Sequence, residues 1–236
     1  MLKVTELSKS YTKPSSGFFN KERSKKTVLK GLSFDAKEGD CIALLGRNGC
    51  GKTTLLKLIS GIIASDKGSI TNNFDEPLDF SKISMVNSND RSFFWRLSVE
   101  ENLKFFCSLS DKNSLKKIKE TLILLDIFDK INFPFMSLSY GERKKISIAR
   151  ALLNDSKILL LDEITSSLDI IAKKIVISTL KDLLKKKHLQ LIIFATHSLD
   201  EVVRLSNRFL FIKDKTIFID QKVNENTFVS EIETKF

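Results

Sequence analysis

The chain has 236 residues, 42% of them hydrophobic, with a net charge of +10 and a pI of about 9.4. That length suits one domain with an inserted subdomain; no run reaches the roughly 18–20 apolar residues of a spanning helix, and Met1-Leu2-Lys3-Val4-Thr5-Glu6 lacks the apolar stretch of a secretory signal. Three cysteines at 41, 50 and 107 and two histidines at 188 and 197 argue against a disulfide framework or a His-built metal site and for a reducing compartment, while the positive charge suits nucleic acid, acidic headgroups or nucleotide, or simply reflects a Lys-, Ile-, Phe- and Asn-rich composition.

Alternating apolar positions predict strands over 2–12 and 27–36, the second carrying Val28, Leu29, Leu32 and Phe34. Between them, 13–26 is a basic insert with turn residues and two phenylalanines. Cys41-Ile42-Ala43-Leu44-Leu45 reads as a buried strand, followed by a glycine-rich turn and an amphipathic helix from Thr54 to Ile59. Ile83-Ser84-Met85-Val86 is a further candidate strand. Helical periodicity runs from about 98 to 128 through Val99, Leu103, Phe106, Leu115, Ile118, Leu122 and Leu125, and again over 140–153. A buried strand is expected at 157–162, a helix at 170–186, a buried strand at 191–195, and short strands near 208–212 and 216–220. Strands alternating with helices predict an α/β fold with a mainly parallel sheet, and the helical stretch between 98 and 153 is expected to form its own subdomain.

Gly46-Arg47-Asn48-Gly49-Cys50-Gly51-Lys52-Thr53-Thr54 has the spacing of a phosphate-binding loop, and it stands between a strand and a helix as that loop requires. Glycines let backbone N–H groups converge on phosphate oxygens, and the helix N-terminus adds partial positive charge. Lys52 would supply a full charge to the β- and γ-phosphates, and Thr53 a hydroxyl to Mg²⁺. Asp162-Glu163 closes an apolar strand, at the carboxyl edge where open α/β sheets bind ligands. Asp162 suits the metal through a water, and Glu163 suits an attacking water. In Leu138-Ser139-Tyr140-Gly141-Glu142-Arg143, Ser139 reads either as a helix N-cap or as part of a second phosphate-binding helix terminus used by a neighbouring subunit. His188, within Lys185-Lys186-Lys187-His188, reads as a solvated turn. Arg91-Ser92-Phe93-Phe94-Trp95-Arg96-Leu97 mixes arginine with aromatics, as core packing, base-stacking surfaces and protein interfaces all do.

In this order the motifs resemble the nucleotide-binding subunits of ABC transporters over nearly the whole chain. The phosphate loop is 46–54, the signature 138–142, the acidic strand end 158–163; Ser167-Leu168-Asp169 looks like the D-loop, His197 like the switch histidine, and Tyr11 like the aromatic residue that stacks on adenine. The resemblance implies an ABC-type P-loop NTPase: a mainly parallel sheet, an N-terminal antiparallel β subdomain and a helical signature subdomain. It implies one domain over 1–236, with a RecA-like core and β subdomain from 1–86 and 154–236, and helices over about 87–153. It further implies ATP and Mg²⁺ as ligands. Two subunits would sandwich two nucleotides, with Lys52, Thr53, Asp162, Glu163 and His197 acting in cis and Ser139 and Gly141 in trans. The expected partners are a second copy or a homologous ATPase and a transmembrane permease at the cytoplasmic face of the membrane, with no nucleic acid. One position departs from the pattern. Where the family carries a metal-touching glutamine, this chain has Ser88 between Asn87 and Asn89, and serine is too short to make that contact directly. By resemblance, 91–97 lies where helices of the membrane subunit dock, and the basic insert with the altered loop looks like exporters of polysaccharides or lipid-linked glycans. Export of polysaccharide, lipid or another amphiphile is therefore the expected transport. The alternative is a soluble ABC ATPase acting on nucleic acid or ribosomes, which commonly has paired ATPase units or a coiled-coil insertion that this chain lacks. Intact Glu163 and His197 disfavour a non-hydrolysing regulator.

Overall fold

The computed structural model describes residues 1–12, 25–87, 92–108, 114–163 and 168–223. The strands are β1 (Leu2–Thr12), β2 (Lys25–Ala36), β3 (Cys41–Leu45), β4 (Lys67–Thr71), β5 (Ile83–Val86), β6 (Ile158–Asp162), β7 (Leu191–Ala195), β8 (Arg208–Lys213) and β9 (Thr216–Lys222). The α-helices are α1 (Lys52–Ile59), α2 (Val99–Ser108), α3 (Ser114–Leu124), α4 (Tyr140–Leu153), α5 (Ile170–Lys185) and α6 (Leu199–Leu205).

Two sheets result. A three-stranded antiparallel sheet has the order β2-β1-β4, and a six-stranded sheet has the order β5-β6-β7-β3-β8-β9, parallel except for its last strand. The central strands β3, β6 and β7 are buried at every position. They are continuous apolar runs because helices or a second sheet cover both faces of a parallel sheet. Successive side chains point to opposite faces, so each strand feeds two cores. Ala43, Leu45, Leu159, Leu161, Ile192 and Phe194 pack toward α4, α5 and the helical subdomain. Ile42, Leu44, Leu160 and Ile193 pack toward α1 and the antiparallel sheet.

The helical stretch is two elements rather than one: α2 and α3 are separate, and two 3-10 turns, Phe128–Lys130 and Phe135–Ser137, lead into α4. Phe93 fastens this subdomain, stacked on Phe135 at 4.3 Å between centroids and edge-on to Phe106. The segment after Phe93 is clamped by Asn102, which is fully buried. Its Oδ1 accepts from Phe94 N, and its Nδ2 donates to the carbonyls of Phe94, Leu97 and Ser98. The same segment is laced to the approach to α4: Phe135 N donates to Leu97 O and Met136 N to Trp95 O, each at 2.9 Å.

Candidate active site

Strand register assembles the site. Leu44 of β3 and Asp162 of β6 both pair with Ala195 of β7. The carboxyl ends of three adjacent parallel strands therefore lie side by side, the edge at which such sheets bind ligands. Backbone bonds continue past the strands: Thr196 N donates to Leu44 O at 3.2 Å, and Glu163 N to Ala195 O at 3.1 Å. Residues more than a hundred positions apart in sequence thus share one edge.

After β3 the chain turns through Gly46–Gly51 into α1. A Cβ on Gly46 (φ +143°) would lie 2.5 Å from the carbonyl oxygen of Ile212, and one on Gly51 (φ +115°) would lie 2.5 Å from Leu29 Cδ2. The first contact is with backbone that cannot yield, so only glycine lets β8 pack against the loop there, and at Gly51 the positive φ strains any other residue. Gly49 faces open space. Arg47, Asn48, Gly49 and Cys50 line a hollow with Phe211–Asp214. Lys52 is buried, and its ammonium donates to Gly46 O at 2.7 Å and Arg47 O at 3.4 Å, which holds positive charge within the loop. Thr54 is half-buried in the first turn of α1.

Thr53 Oγ1 donates to Asp162 Oδ1 at 3.0 Å, linking α1 to the end of β6. Asp162 is 7% exposed. Burial pushes its carboxyl above the usual aspartate range, opposed by the Thr53 hydrogen bond and reinforced by the Glu163 charge. A hydroxyl and a buried carboxylate are hard oxygen donors of the kind Mg²⁺ takes. Among the described residues no three His, Cys, Asp or Glu side chains gather to hold a metal alone. The pair therefore fits Mg²⁺ that takes its remaining ligands from phosphate and water.

Glu163 has left-handed backbone (φ +53°), sparsely populated by non-glycine residues. That turn sends its side chain away from the strand line, and its Oε1 lies 3.8 Å from His197 Nδ1. Both side chains are open to solvent, 39% and 61% exposed. Tyr11, 41% exposed, stands at the end of β1 opposite Lys26, with Lys9 Nζ 5.8 Å from its ring centroid. Val28 and Leu29 of the same hairpin pack on Gly51, which brings that end of the hairpin to the phosphate loop.

Ser139 and Gly141 lie apart from this cluster. They line a hollow with Asp169 and Lys130 that shares no residue with the phosphate-loop hollow. Ser139 Oγ accepts from Glu142 N at 3.2 Å, and Glu142 Oε2 accepts from Ser139 N at 2.7 Å, a complete capping box on α4. The N-cap reading of Ser139 therefore holds, and the serine remains exposed. Asp169 caps α5, its Oδ1 accepting from Ala172 N. Ser88 and Ser167 lie outside the described residues.

The 91–97 segment divides. Phe93 is core, whereas Phe94, Trp95 and Leu97 are exposed, and the Arg143 guanidinium lies 5.2 Å from the Trp95 ring centroid. Sequence reading missed the clamp by Asn102 and the polar contacts of Thr196, because hydrogen bonds from a side chain to its own turn leave no periodic pattern. An asparagine among the apolar positions of α2 was the one local sign.

Residues 29–166 match the family model described as ABC transporter. The chain is 35% identical over 214 residues to the aliphatic sulfonates import ATP-binding protein SsuB of Bacillus cereus, a match spanning 89% of this chain and 84% of that protein. It superposes on cbiO1 from Clostridium perfringens, part of the ABC transporter complex cbiONQ, with a TM-score of 0.80 and 27% identity, covering 99% of this chain and 93% of that one. The dimeric cassette MJ0796 bound to ADP and Pi matches with a TM-score of 0.81 at 23% identity, over 95% of this chain and 99% of the other, and shows the shared fold.

Proposed function

The chain belongs to the ABC transporter family as an ATP-hydrolysing subunit, and from that premise we propose that two copies, or one copy and a homologous subunit, close around two ATP molecules to drive a separate membrane-spanning permease. The observation that carries this reading is the alignment of three strand ends, which gathers Lys52, Thr53, Asp162, Glu163 and His197 and leaves Ser139 and Gly141 on another surface of the same chain. A site missing its second helix terminus is completed by a second copy.

Each residue then has a physical task. Phosphoryl transfer depends on positioning and charge compensation more than on covalent help. The loop N–H groups from Gly46, Asn48, Gly49, Cys50 and Gly51 to Thr54 cradle the phosphates, and Lys52 neutralises β- and γ-oxygens. Thr53 and Asp162 would hold Mg²⁺, which neutralises phosphate charge when bound. Glu163 accepts a proton from, or orients, the attacking water, and His197 donates to the γ-phosphate or fixes that water. Tyr11 offers its exposed face to adenine, and Ser139 and Gly141 serve the opposite copy's γ-phosphate.

Exposed Phe94, Trp95 and Leu97 support docking of the permease on the helical subdomain, since interfaces favour Trp, Phe and Arg anchors. On this reading the chain works at the cytoplasmic face of a membrane. Among the described residues no helix is long and apolar enough to cross it. For direction, the Bacillus relative's name supports import. Export of polysaccharide or lipid has only the insert and the 87–97 loop behind it, and 13–24 and 88–91 lie outside the described residues. A nucleic-acid role has only the net charge behind it.

The test is Glu163→Gln. ATP binding should persist, ATP should trap a stable dimer, and hydrolysis should fall by about 10²–10⁴-fold, the usual cost of losing a general base. Turnover at the wild-type rate would overturn the assignment.

A further inference from the structure

A buried polar chain lies behind His197. Glu201, in the first turn of α6, is 1% exposed, and a carboxylate so buried is tolerated only with close partners. Lys173 Nζ pairs with its Oε1 at 2.8 Å, and Thr196 Oγ1 donates to its Oε2 at 2.5 Å. Thr196 is also buried, and its Oγ1 accepts from Ser198 N at 3.0 Å. One hydroxyl thus binds both sides of the turn that carries His197. Lys173 anchors the chain in the first turn of α5, where its backbone N–H donates to Asp169 O at 2.9 Å. His197 itself is 61% exposed, so packing does little to aim it and the backbone turn must.

We propose that Thr196, Glu201 and Lys173 are positioning residues that fix the 196–198 turn and so point His197 at the γ-phosphate. This inference rests on the reading of His197 given above. The three residues touch no reacting atom. They act by narrowing the directions open to the imidazole, and small misplacement of a catalytic group is costly.

The experiment is a double-mutant cycle on the full chain, read as single-turnover hydrolysis of Mg-ATP. Thr196→Val keeps the shape and removes the hydroxyl; hydrolysis should slow by about tenfold or more while ATP affinity stays within about twofold. Thr196→Ser should restore the rate. Added to His197→Ala, Thr196→Val should cause no further loss, because its effect passes through the histidine. A wild-type rate for Thr196→Val, or the same fold-loss in the His197→Ala background, would overturn the positioning role. A wild-type rate for His197→Ala alone would instead overturn the reading of the histidine. If Thr196→Val does not fold, Glu201→Gln carries the same cycle, since it keeps the side chain's shape and removes the ion pair with Lys173 that holds Glu201 beneath the turn.

Discussion

Asp162 shows at the scale of one residue how the site is set against stability. Its carboxyl is buried at the end of β6, so burial raises its pKa above the ordinary value of 3.8. The native state then holds this proton more tightly than the unfolded chain does. The group's contribution to stability is greatest below 3.8 and declines as pH rises through the raised value. Asp162→Asn removes that penalty and keeps an acceptor for Thr53. We expect the ligand-free variant to melt about 2–4 °C higher than wild type at neutral pH, the shift that ~1 kcal/mol gives a chain this size. The difference should shrink toward pH 4 as the wild-type carboxyl protonates. Under the proposed function hydrolysis should also be lost, because Mg²⁺ would lack its carboxylate. An unchanged melting temperature in calorimetry would show that burial of this charge costs nothing. Gly46 is the opposite case, where function and folding agree. Gly46→Ala would press its Cβ against the Ile212 carbonyl. It should lower the melting temperature by about 2–4 °C or more and weaken ATP binding together.

Among the elements, legibility followed burial. β3, β6 and β7 could be read from sequence because strands buried on both faces are unbroken apolar runs. The phosphate loop and the capping box of α4 could be read because their chemistry is local. β4, Lys-Gly-Ser-Ile-Thr, could not: it is an edge strand with no buried residue, so no alternation marks it. α6 was missed because seven residues carry too few turns to show a period. The left-handed backbone of Glu163 was equally hidden, since no glycine or asparagine marks the position. Asn102 extends the argument to a whole segment. Its side chain makes four hydrogen bonds to the 94–98 backbone. Asn102→Ala takes the partner from Phe94 N and empties a fully buried position, and should destabilise the protein by about 1–3 kcal/mol. Hydrogen exchange should rise first at 94–98 and at 133–136, the strip laced to it, while ATP affinity stays unchanged. Protection lost evenly across the molecule would contradict a local clamp.

At the scale of the whole molecule, the proposed function gives one chain two half-sites. The phosphate loop and the α4 terminus line different hollows that share no residue. A symmetric pair resolves this, because each copy offers one half to the other. The most direct measurement is complementation between two inactive variants. Lys52→Ala damages the phosphate loop, and Ser139→Arg blocks the signature; it also removes the hydroxyl that caps α4, at a cost of about 0.5–2 kcal/mol, and leaves ATP binding to the monomer intact. In a mixed dimer one site carries both lesions and the other carries none. Neither variant alone should hydrolyse ATP in a single turnover, and their mixture should regain hydrolysis. A mixture that stays inactive at every ratio, or Ser139→Arg hydrolysing alone at the wild-type rate, would contradict the shared site.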